Sequence, residues 1–203
     1  MTTFTYDCQN KDTIYETYWK GLIGDATHIT FVNAENVTKV GSWFLFRGDS
    51  LTSIDLSPLS NVTHVSDYFL LGCESLTSVD LSLFINVTHV GARFLSWCES
   101  LKAIDLSPLT NVTEIGDWFL SECTSLTSID LSPLSNVTKV GDWFLSDCNS
   151  LKSADLSPLS NVTKVGEHFL ERCMSLTSID LSPLEKNIPD IKARCKYLKG
   201  KIV

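Results

Sequence analysis

The sequence predicts a β-rich α/β solenoid: a right-handed stack of coils with parallel β-sheet, short helical turns and capping helices. Three observations carry this. From Leu51, the unit L-T-S-I-D-L-S-P-L-S-N-V-T-H-V-S-D-Y-F-L-L-G-C-E-S returns at Leu76, Leu101, Leu126 and Leu151, every 25 residues, without insertion or deletion. Within each unit apolar residues hold positions 1, 4, 6, 9, 12, 15, 19, 20 and 23, as in Leu126, Ile129, Leu131, Leu134, Val137, Val140, Phe144, Leu145 and Cys148. The chain of 203 residues is 43% hydrophobic and 20% charged, with 10 Gly and 6 Pro, too few for a disordered or collagen-like protein. A strict period of this length builds a solenoid in which each unit buries its apolar face against its neighbours.

The array extends beyond the clearest copies. Residues 26–50 form a degenerate first unit, with Asn36-Val37-Thr38 and Trp43-Phe44-Leu45 in register and Gly48 at the Cys position. Six full repeats therefore span 26–175, and a half unit follows over 176–184. Residues 1–25 are expected to be an N-terminal cap, and 176–203 the half repeat with a basic C-terminal cap, all in one continuous domain.

Each element follows from local chemistry. Leu-x-x-Ile-x-Leu places residues 4 and 6 on one face of an extended segment, so these segments are expected to stack as a parallel sheet. Ser-Pro-Leu-Ser-Asn is a turn, because Pro fixes φ and pushes the preceding residue to extended geometry. Val-Thr-x-Val reads as a second short strand. Gly141-Asp142 breaks it, with Asp placed to cap one helical turn over Trp-Phe-Leu-Ser-Asp-Cys. At the flanks, 9–24 is expected to fold as an amphipathic helix over the first coil. Ile191, Cys195 and Leu198 have the spacing of a short helix over the last one.

The net charge of −8 argues against nucleic acid as the main partner. It is uneven: residues 184–203 hold six basic side chains, Lys186, Lys192, Arg194, Lys196, Lys199 and Lys201, against Glu185 and Asp190, a net of +4 that leaves −12 for the rest. The tail reads as a solvated cap. No apolar run reaches the roughly 18 residues that cross a bilayer. The first residues lack the basic start and apolar core of a secretory signal, so the chain is expected to be cytoplasmic.

The combination L-x-x-I-x-L-x-P followed by V-T-x-V-G-x-x-F/A-x-x-x-C resembles the BspA-like class of leucine-rich repeats, over about 160 residues. This chain departs in two extra residues per unit, at Ser-Pro-Leu-Ser-Asn, and in Trp/Tyr-Phe-Leu where that class usually has Ala-Phe. The resemblance implies a curved leucine-rich-repeat solenoid that binds proteins, often in cell-surface adhesion.

The repeated polar positions carry little chemistry. Cys73, Cys98, Cys123, Cys148 and Cys173 recur at position 23; with Cys8 and Cys195 the count is odd, and reduced core packing is expected. Asn36, Asn61, Asn86, Asn111, Asn136 and Asn161 each begin Asn-Val-Thr, a glycosylation acceptor if the chain is exported. An internal ladder of stacked amides bonding adjacent turns is the favoured reading. Asp55, Asp80, Asp105, Asp130, Asp155 and Asp180 at position 5 are expected to form an acidic concave ladder, either a solvated polar face or a groove for a basic partner or cation. His64 and His89 share position 14 in consecutive coils, but other residues hold it elsewhere, so a metal pair is disfavoured. No phosphate loop, nucleophile elbow or zinc spacing occurs, so no enzyme, cofactor or metal is implied.

Recognition of a non-repetitive partner needs exposed positions that differ between coils. Position 18 reads Trp43, Tyr68, Arg93, Trp118, Trp143 and His168; position 22 reads Arg47, Gly72, Trp97, Glu122, Asp147 and Arg172. Large aromatics and Arg dominate binding hot spots. Tyr68, Arg93, Trp97, Trp118, Trp143 and His168 are therefore the candidate partner-binding residues; rings at least half exposed would form an apolar strip, the alternative being that a Trp here packs partly between coils. The expected function is a monomeric, non-catalytic scaffold for another protein. The alternative is a cell-surface adhesin or antigen.

Overall fold

A computed structural model describes residues 2–15, 18–81, 84–195, 198 and 201–203, with Ala193 and Arg194 described by their backbone alone. In chain order, β1 (Thr3–Asp7), β2 (Thr13–Ile14) and α1 (Trp19–Ile23) make an opening coil. β3 (His28–Val32) and β4 (Lys39–Val40) belong to the next, β5 (Ser53–Ile54) and β6 (His64–Val65) to the one after. One strand marks each later coil: β7 (His89–Val90), β8 (Glu114–Ile115), β9 (Lys139–Val140) and β10 (Lys164–Val165). Helices α2 (Ser182–Glu185) and α3 (Ile191–Arg194) close the far end.

The continuous parallel sheet runs along Val-Thr-x-Val, not along Leu-x-x-Ile-x-Leu. Seven strands stack there in the order β10-β9-β8-β7-β6-β4-β2, and Val40, Val65 and Val90 share one file. On the other edge β1, β3 and β5 form a three-stranded parallel sheet. Beyond it the described backbone shows only sparse rungs, such as Thr127 N–H to the Lys102 carbonyl at 3.3 Å and Lys152 N–H to the Thr127 carbonyl at 3.3 Å. Each segment also bends out of the strand at position 5. The Asp130 carboxylate accepts the Ser132 N–H at 2.8 Å, and the same contact at Asp55, Asp105, Asp155 and Asp180 bends each segment into its turn. Short 3-10 turns follow there, at Ser57–Leu59, Ser107–Leu109, Ser132–Leu134 and Ser157–Asn161, each with Pro in its first turn.

The core is one cluster running through every coil. Phe44, Phe69, Phe94, Phe119, Phe144 and Phe169 stack with centroids 5.2–5.6 Å apart. Each ladder thiol points at a carbonyl of the preceding coil, from Cys73 to Leu45 at 3.3 Å to Cys173 to Leu145 at 3.1 Å. All seven cysteines are buried, and none is joined in a disulfide. Position 4 is looser: Ile104, Ile129 and Ala154 are only partly buried, on the edge where rungs are sparse.

The opening segment is a diverged coil. Thr3 pairs with His28, an offset of 25, and Thr13 with Lys39, an offset of 26, so the helix expected over 9–24 is confined to Trp19–Ile23. Gly24, at φ +55°, ends it. At the other end Ile188, Ile191, Cys195 and Leu198 bury themselves under the last coil, and Ile179 bridges Ile202. Lys196 and Lys199 of the basic tail lie outside the described residues.

Candidate interaction surface

The surface richest in differences between coils is built on positions 16–23. Position 16 closes tightly on the coil before: a Cβ on Gly141 would lie 2.6 Å from Asp117 N and 2.6 Å from the Gly116 carbonyl carbon. The neighbouring Asp caps the next coil instead of a helix of its own. Asp67 Oδ1 accepts Ala92 N–H at 2.7 Å, Asp117 that of Asp142 at 2.8 Å, and Asp142 that of Glu167 at 2.8 Å.

No helical turn follows. In every repeat positions 18, 20 and 22 have φ between +52° and +75°, and only Gly72 among these eighteen residues is a glycine. The N–H of position 21 returns to the carbonyl of position 18, as in Ser146 to Trp143 at 3.2 Å, with the third residue left-handed: a type II turn, followed by another left-handed residue. A non-glycine residue costs about 1–2 kcal/mol in this region. Rungs between coils oppose that cost. Trp118 N–H donates forward to Asp142 at 2.7 Å, Leu120 backward to Phe94 at 3.0 Å, and Glu122 forward to Ser146 at 2.8 Å.

This backbone brings the position 18 side chains into one file. Trp43 and Tyr68 stack at 3.8 Å and 4°, Trp118 and Trp143 at 4.6 Å and 11°, Trp143 and His168 at 3.8 Å and 11°. Arg93 joins the halves, its guanidinium carbon 4.4 Å from the Trp118 ring centroid and 6.0 Å from that of Tyr68. All six are partly buried. Of the two arrangements expected for these rings, packing between coils is the one observed: ring faces are taken up by one another, and edges meet solvent. Trp97 differs, being 42% exposed, with its indole N–H donated to Glu122 Oε1.

The file ends in a buried acidic side chain that the sequence pattern did not flag. Position 21 holds buried Ser96, Ser121 and Ser146, with 2.7 Å between the last two hydroxyls, and then Glu171, 4% exposed. Glu171 meets His168 Nδ1 and lies 3.9 Å from Arg172 Nε. A buried acid breaking a serine run is the signal that marks it.

The Asp ladder is exposed. The Ser hydroxyls and N–H groups hold the carboxyls of Asp55, Asp130, Asp155 and Asp180 below the usual carboxylate range, outweighing repulsion between neighbours such as Asp130 and Asp155. Asp80 is exposed as well. The Asn ladder lies at the surface, not inside. Asn61, Asn111, Asn136 and Asn161 reach back to carbonyls of the preceding coil at 2.7–2.9 Å. His64 and His89 are exposed, each Nδ1 2.9 Å from the preceding Thr hydroxyl. Among the described residues no cluster of His, Cys, Asp or Glu could hold a metal ion, and no helix is long and apolar enough to cross a membrane.

Stacked 25-residue coils with a leucine-rich core, a parallel sheet and a varied flank define a leucine-rich-repeat solenoid. The chain matches the model of the BspA type leucine rich repeat region in six copies, over residues 12–105 and 81–196, and belongs to that family. Among solved structures it is similar to a leucine-rich repeat protein of T. pallidum, with 17% identity, a TM-score of 0.67, and 92% of this chain and 77% of that one covered. It is similar also to a leucine-rich cell surface protein from Faecalibacterium prausnitzii A2-165, with 22% identity and a TM-score of 0.55. That likeness covers 86% of this chain and 51% of the other, so the chain spans about half that length. Likeness at these identities shows the fold alone. No curated protein sequence matches the chain.

Proposed function

We propose that the chain is a non-catalytic protein-binding scaffold whose partner contacts the flank at Tyr68, Arg93, Trp97, Trp118, Trp143 and His168. The observation that carries this is Trp97, an indole 42% exposed in the coil that also carries Arg93. Stacking uses up the ring faces along position 18, which suits a protein partner better than a sugar, since a sugar needs an open ring face. Trp97→Gly tests it cleanly, because Gly72 holds the same position one coil earlier at φ +75°. Against proteins captured by the intact chain from its own cells, Trp97→Gly weakens binding at least tenfold, about 1.4 kcal/mol, with circular dichroism unchanged. Asp105→Asn with Asp130→Asn alters mainly salt dependence. The reverse pattern assigns binding to the Asp ladder.

A second reading, a cell-surface adhesin or antigen, is favoured by one observation: a structural neighbour is itself a cell surface protein. We place the chain at the surface on that ground, in preference to the cytoplasm. Protease treatment of intact cells tests it. Loss of the chain supports the surface, and full protection until lysis returns it to the cytoplasm.

A further inference from the structure

The two ends of the solenoid are not finished alike. At the C-terminal end Ile179 bridges Ile202, and the N–H groups of Ile179 and Val203 close that edge onto Lys201 and Ile179 carbonyls at 2.7 and 3.0 Å. At the N-terminal end β1 is the outermost strand of its sheet. Thr2 O and Cys8 N–H bond to β3 or the residues before it, so by the two-residue period the even positions of β1 face inward along the sheet. The N–H and C=O groups of Thr3, Thr5 and Asp7 point away from β3, along the open edge. A five-residue edge of this kind is a template for another strand.

We propose that this edge is a self-association surface on which a second copy of the chain pairs head to head, β1 antiparallel to β1 about a two-fold axis through Thr5. At the C-terminal end the segment matching β1 is already bridged by Ile202, while β10 stays outermost in the seven-stranded sheet. The register is self-complementary. Thr5 faces Thr5 of the second copy, and Asp7 faces Thr3, so no two carboxylates oppose one another. Asp7 is already held by its own coil, accepting Gln9 N–H at 2.8 Å and the Asn33 amide at 2.9 Å. The outward residues exchange about six backbone hydrogen bonds in this pairing. Between them Phe4 meets Tyr6 of the second copy on the core side. Both rings are only partly buried in the single chain, and Tyr6 is the outermost ring of a network through Trp19 at 5.0 Å and Phe31 at 6.0 Å. Tyr15 (68% exposed) and Leu22 (42% exposed) belong to the same opening coil.

The test is the mass of the full chain by sedimentation equilibrium over a range of concentrations. A dimer is expected, and its dissociation constant rises at least tenfold in Thr5→Pro, which removes an outward N–H and leaves the bonds to β3 intact. Thr5→Cys decides the geometry independently. A two-fold at residue 5 puts the two sulfurs within disulfide reach, so mild oxidation gives a reducible dimer. A wild-type chain that stays monomeric, a dimer indifferent to Thr5→Pro, or a Thr5→Cys chain that does not cross-link overturns the proposal.

Discussion

Leu131 and Ile129 stand two residues apart on the same segment, yet their side chains contribute differently. Leu131 is 2% exposed and sits in the continuous core, while Ile129 only packs against it from the loosened edge. Leu131→Ala therefore removes a side chain from a packed interior and is expected to cost about 2–5 kcal/mol. Ile129→Ala is expected to cost clearly less, because its site is open to water and leaves no closed cavity. Urea midpoints of the two variants check the order. A Leu131→Ala protein that unfolds with the parent would remove position 6 from the core.

The thiol ladder shows what repetition does to an element. Burial pushes Cys73, Cys123 and Cys173 up to about 12 from an ordinary 9.0, since a thiolate there loses water and gains only a carbonyl oxygen for a neighbour. The unfolded chain thus sheds these protons near pH 9, while the folded chain keeps them. Stability is whole below pH 9 and falls between 9 and about 12, by about 1.4 kcal/mol per pH unit per buried thiol. Denaturant midpoints across that window test it, and Cys123→Ala should flatten the slope. The ladder was legible in the sequence because a core repeats its inward residues: Leu126, Phe144 and Cys148 recur in every regular unit and are all buried. The left-handed turns were not legible. Trp143, Leu145 and Asp147 stand where such φ values ordinarily call for glycine, and only rungs to adjacent coils make the conformation tenable. The same neighbours decided the Asp142 carboxylate, which caps the following coil rather than its own. They also decided between the two arrangements open to the position 18 rings, an exposed strip or packing between coils, in favour of a half-buried stacked file.

For the whole molecule, stacking means that each coil touches only the coil before and the coil after. Through the repeats the 25-residue offset holds, from Lys39 and His64 near one end to Lys139 and Lys164 at the other. Excising residues 126–150 joins Ser125 to Leu151 and returns every ladder to register: Phe119 meets Phe169, and Cys123 meets Cys173. The shortened chain is expected to fold, with a denaturant m-value lower by about one eighth, since m follows the surface exposed on unfolding. Stability falls as well, because one coil and one interface are lost. Excising 126–137 instead removes half a period. It sets Val-Thr-x-Val strands against Leu-x-x-Ile-x-Leu segments and takes the Asp142 N–H away from the Asp117 carboxylate that accepts it, so that chain is expected to lose its cooperative transition. Circular dichroism and urea melts of the two deletions read the difference directly. If both fold equally well, the coils are not locked by their period, and stability resides within each coil instead of between them.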